Sequence, residues 1–424
     1  MTNTDTILQR IEDGKSFMQP YQEKTRRNVL RYLALDRILG SDDETTAQQN
    51  AAPQRRDLPL GEINFPAINI RQKIAQLSML NPDWIIEHDD PEQGTIAKDF
   101  LREHMRKQNL VRLGKRNLLF YGLSGMSFTA YLWSERGFTM EFCYPRDLFF
   151  DPFTTNEQWE NPRWGGRRVK LPIAEAIKRY GRQKLHIYSS VEENDMEERY
   201  EDGIPIWTYW DAQTECEIYD TGMETDENRP LKIGPNRYGR VPIAVLLGNH
   251  DPDSEFCLGD YDQVLGAWEM QRMLQRALQR TALNGGGKMW MRREYIDDDQ
   301  AEEALYGEIE GPILVNSAPG EEALGWTRAE PLNPAVVEAL RYTGDGVDAD
   351  QAITGMDRGV QTSHPKFATE ATLMASRSTA RGSQARLDLE NFFNFLGSEC
   401  IRLTQKFGLD PRAGKITPRD VAIY

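Results

Sequence analysis

The residues that could carry chemistry in this chain are few and dispersed. Its five histidines form no HExxH or HxxxH pair, and its four cysteines include no CxxC pair. GGGK at 285–288 suggests a phosphate-binding loop, but Ala282 and Met289 occupy the places of the first glycine and of the serine or threonine. The same glycines fit the end of a helix followed by a turn. The sequence therefore predicts no catalytic site and no cofactor.

A run of three acidic residues offers one alternative, a site for a hard cation. These residues are Asp297, Asp298 and Asp299. They precede a short helical pattern, where carboxylates favour the positive end of the helix dipole. No EF-hand spacing follows them, so we favour the helix start over the metal site.

Two basic groups remain, and each has two interpretations. Arg272, Arg276 and Arg280 form an i, i+4, i+8 stripe that is either a solvated face or a surface that meets phosphates or acidic groups. Arg358, His364 and Lys366 lie in a polar segment at 355–367 with glycine and proline breaks. That segment is either a structural linker or a loop that touches phosphates.

The overall composition limits the class of protein. The chain has 424 residues, enough for two or three domains, and a net charge of −15 with a pI near 5.0. A negative net charge is unfavourable for tight binding to the phosphates of nucleic acid. It indicates either simple solubility or a surface that repels DNA while surrounding it. No apolar run is long enough for a membrane span, and the N-terminus has no signal-peptide core. The scattered cysteines predict a reducing compartment, a cytoplasm.

Residues 1–257 read as an α+β region. Apolar periodicity predicts helices, and short runs of aromatic and β-branched residues predict strands. The predicted helices cover 5–38, 67–80, 94–120 and 172–181. The predicted strands cover 83–88, 127–133, 138–144, 147–150 and 241–248, with a hairpin over 204–221. The helix at 94–120 has a basic face formed by Arg102, Arg106, Lys107, Arg112, Lys115 and Arg116.

From residue 258 onward the pattern becomes largely helical. The helix over 258–284 has two apolar stripes, which indicates either burial inside its own domain or packing between two neighbours. One stripe is Tyr261, Val264, Leu265 and Trp268; the other is Met270, Met273, Leu274, Ala277 and Leu278. A small α/β insert at 285–332, a helix over 333–354 and the loop at 355–367 follow. An uninterrupted helix over 368–407 would be roughly 55–60 Å long. Its stripe is Ala385, Leu389, Phe392, Leu396, Cys400, Leu403 and Phe407.

The order of these segments resembles the portal proteins of tailed bacteriophages, over most of the chain. The similar segments are FPAINIRQKIAQLSMLNPDWII, LFYGLSGMSFTAYLW, YPRDLFFDP, VPIAVLLGNHDPDSEFCLGDYDQVLGAWEMQRMLQRAL and FATEATLMAS. Each is a degenerate pattern of helix and turn residues, and the resemblance lies in their order and spacing.

The resemblance implies a portal fold and a ring of, usually, twelve identical subunits at one capsid vertex. Residues 1–257 would form the wing, 258–284 and 333–354 the paired stem helices, 285–332 the clip, 355–367 the tunnel loop and 368–424 the long wing helix with a C-terminal return. Stem contacts between subunits would involve Tyr261, Leu265, Trp268, Met273, Leu274 and Leu278. The clip residues facing terminase or adaptor would be Arg292, Arg293, Asp297, Asp298 and Asp299. The loop residues facing DNA would be Arg358, His364 and Lys366.

The same resemblance implies partners and a place of action. Double-stranded DNA would pass through the ring during packaging and ejection. The large terminase and then a head–tail adaptor would dock on the clip, and the major capsid and scaffolding proteins would surround the ring in a virion assembled in the host cytoplasm. The chain stops at KITPRDVAIY, where portals usually continue into a helical crown, so the crown is expected to be absent or truncated. Competing classes are another head–tail or minor capsid structural protein, and a DNA-processing enzyme or packaging ATPase.

Overall fold

The computed structural model describes residues 4–33, 65–78, 84–86, 91–134, 137–155, 158–181, 203–219, 230–284, 289–291, 324–326, 337–339, 341–342, 368–407 and 421–423. The chain forms two compact units. The first comprises Met1–Gln49, Asn64–Val264 and Gln351–Tyr424, and the second comprises Asn50–Ile63 and Leu265–Asp350. Helices and strands both contribute to the first unit, which confirms the predicted α+β class.

Seven α-helices of eight residues or more lie within the described residues. They are α1 (Thr4–Tyr32), α2 (Phe65–Ser78), α3 (Pro91–Lys107), α4 (Leu110–Ser124), α5 (Ile173–Tyr180), α6 (Asp260–Asn284) and α7 (Ala368–Phe407). Helix α7 has the predicted range, and its predicted stripe is buried except for the half-buried Phe407. Helix α1 ends at Tyr32, and the rest of its predicted range, residues 34–38, lies outside the described residues.

The strands of the first unit form two larger antiparallel sheets and two small pairs. The three-stranded sheet has the order β3 (Gly137–Cys143), β2 (Met126–Ser134), β9 (Ile243–Leu247). The five-stranded sheet is a meander of β4 (Leu148–Phe150), β5 (Trp164–Leu171), β6 (Ile204–Asp211), β7 (Thr214–Tyr219) and β8 (Pro230–Pro235). The pairs are β1 (Trp84–Ile86) with β14 (Val421–Ile423), and β10 (Asn249–His250) with β11 (Cys257–Leu258). In the second unit, β12 (Met289–Met291) pairs with β13 (Leu324–Trp326).

The main core of the first unit is built around the three-stranded sheet. Helix α7 packs on strands β2, β3 and β9, and helix α4 also packs on β2. Helix α1 lies against strand β4 and helix α4. Together these elements bury a single large cluster that includes Phe128, Tyr131, Phe392 and Leu396. Such a continuous core holds α1, α4 and α7 in fixed relative positions.

The helix predicted over 94–120 is in fact two helices, α3 and α4. Asn109 between them adopts the left-handed conformation with φ 51°, which ends the first helix. The side chain of Gln108 donates to the carbonyl oxygen of Phe138 at 3.0 Å and accepts from the backbone N–H of Met140 at 3.3 Å. These bonds to strand β3 fix the corner between the helices, and no proline or glycine marks it in the sequence.

Candidate functional site

The candidate site is the first turn of helix α6. This helix begins in the first unit and continues into the second. Asp260–Val264 belong to the first unit. Two acidic residues, Asp260 and Asp262, lie in this turn, where the helix dipole favours carboxylates. We call the start of α6 with its contacts in the first unit the helix root.

Two lysines from other helices hold the carboxylates of the helix root. Lys73 on α2 places its Nζ 2.7 Å from Asp260 Oδ2, and Lys24 on α1 places its Nζ 3.2 Å from Asp262 Oδ2. All four side chains are largely buried, so these pairs are screened by solvent less than surface pairs are. Lys24 also donates to the carbonyl oxygen of Cys257 at 3.1 Å. Both ends of the turn are therefore tied to helices of the first unit.

A buried asparagine completes the polar part of the root. Asn28 is 2% exposed, and its Nδ2 donates to the carbonyl oxygen of Leu123 at 2.7 Å and to Asp262 Oδ1 at 2.6 Å. The other oxygen of Asp262 accepts from the backbone N–H of Gly259 at 2.9 Å. A side chain that bonds back to the residue before the helix is one half of a capping box. Asp262 thus caps α6 and connects it to α1.

Backbone packing holds the start of α6 against the end of α4. A Cβ atom at Gly259 would lie 2.7 Å from the carbonyl carbon of Leu123 and 2.7 Å from the nitrogen of Ser124. The end of α4 and the start of α6 can approach this closely only because residue 259 has no side chain. Beside them, the N–H of Gly248 donates to the carbonyl oxygen of Gly125 at 2.8 Å.

A tyrosine and an aspartate connect α4 to the long helix α7. Tyr121 on α4 donates from its hydroxyl to Asp388 Oδ2 at 2.7 Å, and Gln384 donates to Asp388 Oδ1 at 2.8 Å. Burial and the Asp388 carboxylate raise the pKa of Tyr121, so this hydroxyl keeps its proton at neutral pH. Burial also raises the pKa of Asp388, against the effect of its two hydrogen bonds.

Farther along α7, a buried glutamate forms a second charged cluster. Arg402 Nε lies 3.0 Å from both carboxylate oxygens of Glu399, and Arg240 Nη1 lies 3.7 Å from Glu399 Oε1. Arg402 also donates to the carbonyl oxygen of Tyr238 at 3.0 Å. A carboxylate held by two guanidinium groups is suited to fixing α7 against the segment before β9 rather than to proton transfer.

The described side chains offer structural contacts rather than an evident reaction centre. Burial raises the pKa of all four thiols, to about 12 for Cys216 and Cys400, so they are not thiolates at neutral pH. Among the described residues, no group of three or more His, Cys, Asp or Glu side chains could hold a metal ion. None of the described helices is both long and apolar enough to cross a membrane.

Helix α6 presents two faces that differ in exposure. Tyr261, Val264 and Trp268 are buried in the single chain, Trp268 with 6% exposure. On the opposite face Met270 is 52% exposed and Met273 is 64% exposed. Leu265 and Leu274 are half-buried, and the side chain of Leu278 lies outside the described residues. Within the described part of the second apolar stripe, Met270 and Met273 are therefore exposed.

Comparison with solved structures shows a structural likeness. No protein-family model matches the sequence, and no curated protein matches it. Among solved structures, the chain is similar to one described as the neck of an empty GTA particle computed with C6 symmetry. That match has 12% sequence identity and a TM-score of 0.42, and it covers 80% of this chain and 79% of the other. A similarity of this size establishes no family.

The other site residues predicted from the sequence lie outside the described residues. These are the loop residues Arg358, His364 and Lys366, and the clip residues Arg292, Arg293, Asp297, Asp298 and Asp299. Their roles stay predictions, as do the subunit contacts of α6. The helix root itself was not predicted. The sequence feature that could have indicated it is the buried stripe of α1. This stripe includes the apolar Ile7, Ile11, Met18 and Tyr21, and it continues at the same spacing with the polar Thr25 and Asn28.

Proposed function

We propose that the chain is a subunit of a phage portal, a ring at one capsid vertex through which the genome is packaged and ejected. The observation that carries this proposal is helix α6, which is fixed at its root and exposes an apolar face with Met270 and Met273. The order of segments along the sequence, which resembles that of portal proteins, supports the same assignment.

A ring explains why one helix has two apolar faces. In a cyclic assembly each subunit contacts its two neighbours through different surfaces, which makes the interfaces heterologous. One face of α6 packs within its own chain, and the exposed methionine face packs against the next subunit. A rigid root is needed because a small change in helix direction in every subunit would prevent the ring from closing.

The charge of such a ring suits a channel for DNA. Twelve chains with a net charge of −15 each would carry roughly −180, so phosphates would be repelled rather than held. In the proposal Arg358, His364 and Lys366 make brief contacts with DNA that passes through. The clip at 285–332 receives the large terminase and then a head–tail adaptor, and the capsid and scaffolding proteins surround the ring in the virion.

Electron microscopy of the purified full chain tests the proposal. We expect negative-stain images of rings with twelve-fold or thirteen-fold symmetry and a central hole, and a matching mass by mass photometry. A particle without a central hole would favour another head–tail or minor capsid protein. A chain that stays monomeric at every concentration tested would exclude the portal assignment.

We also propose that the chain has no enzymatic activity of its own. The purified protein should hydrolyse no ATP and cleave no DNA, because the Walker pattern around GGGK is incomplete. Phosphate release and plasmid nicking assays measure both activities, with Lys288→Ala as the matched control. Turnover by the parent that disappears in Lys288→Ala would contradict this expectation and favour the packaging ATPase.

A further inference from the structure

The end of α3 and the start of α4 form a basic surface on an acidic protein. The chain carries a net charge of −15, yet no acidic residue occurs from 104 to 134. Six basic side chains lie on this corner, and all are exposed: Arg102, Arg106, Lys107, Arg112, Lys115 and Arg116. We call this set the basic corner. The proposed stem, clip and channel do not use it.

Half of the basic corner is already neutralised or stacked. Lys107 pairs with Glu103 at 2.7 Å, and Arg102 lies 3.8 Å from Asp99. The guanidinium of Arg116 lies 5.6 Å from the centre of the Phe142 ring. These three contacts involve half of the basic side chains of the corner and leave the other half without a local function.

The other half has no such neighbour. Arg106, Arg112 and Lys115 form no ion pair with any residue that the structure describes. Arg112 and Lys115 are three positions apart on α4, so they share one face of the helix. The first turn of α4 has no acidic residue, although the dipole favours one there. Cations concentrated at this end of a helix repel one another, which costs stability unless an anion offsets the charge.

The corner is held rigid rather than left to adapt. Asn109 separates the two helices in the left-handed conformation, and Gln108 forms hydrogen bonds with the backbone of Phe138 and Met140 on strand β3. Buried Leu110 and Leu113 attach the start of α4 to the core. The basic side chains therefore project from a fixed base, which reduces the entropy lost when they bind an extended anion.

We propose that the basic corner binds the phosphate backbone of double-stranded DNA, outside the channel; the choice of DNA rests on the proposed portal function. A protein partner fits this surface less well. Protein interfaces have apolar or aromatic anchors at their centre and few lysines. Within residues 102–116, all of them described, the one large apolar side chain that is exposed is Val111, at 41%. Phosphate contacts require only exposed cations, which the corner provides.

Salt-dependent DNA binding by the full chain tests this inference. Fluorescence anisotropy with a labelled duplex of about 20 base pairs would be measured from about 50 to about 200 mM salt. The variant Arg106→Gln/Arg112→Gln/Lys115→Gln should bind at least about tenfold more weakly at low salt. Its slope of log K against log salt should be smaller by about 2 to 3, because each lost phosphate contact removes about 0.9.

A matched control removes three exposed lysines from other parts of the first unit. The variant Lys178→Gln/Lys232→Gln/Lys406→Gln changes the net charge equally and should keep the parent's slope more closely than the corner variant does. Equal slopes for the two variants would overturn the inference, because binding would then follow net charge alone. Labelled polyglutamate provides a second test. If it binds the parent as tightly as the duplex does and binds the corner variant more weakly, the inference would be overturned in favour of an acidic protein partner.

Imaging the same preparations separates this inference from the proposed function. Rings of parent and corner variant with equal mass, together with a reduced slope, would support both. Rings with an unchanged slope would overturn the basic corner and leave the portal assignment intact. A monomeric parent whose corner still determines DNA binding would overturn the portal assignment and support the corner as a phosphate site.

Discussion

Replacing Gly259 by alanine should destabilise the first unit by about 3 kcal/mol or more. The new Cβ would lie within 2.8 Å of three backbone atoms, those of Leu123, Ser124 and Gly122. Backbone atoms at the end of a packed helix cannot rotate away as a long side chain can, so either α4 or α6 must shift. Such a shift would also stretch the hydrogen bond from Gly259 N–H to Asp262. Thermal and denaturant unfolding followed by circular dichroism measures the loss.

A glycine inside α6 provides the control. Gly266 lies seven positions farther on, and a Cβ there would meet nothing within 4 Å. Gly266→Ala should therefore stabilise the protein by up to about 1 kcal/mol, since alanine is the better helix former. A Gly259→Ala variant as stable as the parent would show that the close approach at the root does not constrain the fold.

Strong periodicity made the long helices predictable from the sequence. The stripe from Ala385 to Leu403 predicted α7 over 368–407, and the observed helix has that range. Helix α6 begins at Asp260 and ends at Asn284, within the predicted 258–284. Both helices have apolar residues at every third or fourth position, which is the pattern that predicts a helix.

Elements that depend on distant contacts were not predictable in the same way. No local breaker separates α3 from α4, and the break depends on bonds from Gln108 to a strand thirty residues later. Strand β5 was not predicted as a separate strand because Gly165 and Gly166 have low strand propensity. In the sheet a side chain at Gly166 would overlap the carbonyl oxygen of Thr208. The packing therefore requires glycine at this position, although glycine has a low strand propensity.

The helix root escaped prediction for a related reason. Lys24, Asn28 and Lys73 look like ordinary polar residues of amphipathic helices, and their partners lie almost two hundred residues or more away in the chain. Only the fold brings them to Asp260 and Asp262. Asn28 could have been suspected because it continues a buried stripe where a leucine would be expected, and a polar residue there needs a buried partner.

Replacing Met270 and Met273 together by aspartate should abolish ring assembly while leaving the subunit folded. Both side chains are more than half exposed in the single chain, so charging them costs the fold little. In a ring the same positions would be buried against a neighbour, and burying unpaired carboxylates costs several kcal/mol at each interface. The cost recurs at every interface, which makes the loss close to complete. Mass photometry and negative-stain imaging measure assembly, and circular dichroism measures folding.

Two further variants separate assembly from folding. Met270→Leu/Met273→Leu keeps the apolar face and should still form rings, since both residues are good helix formers of similar volume. Trp268→Asp should instead unfold or aggregate the subunit, because Trp268 is already buried in the single chain. If the double aspartate variant forms rings as the parent does, the exposed face of α6 is not a subunit interface. The portal assignment would then lose the observation that carries it. The exposed apolar face of a helix held so firmly at its root would have no explanation.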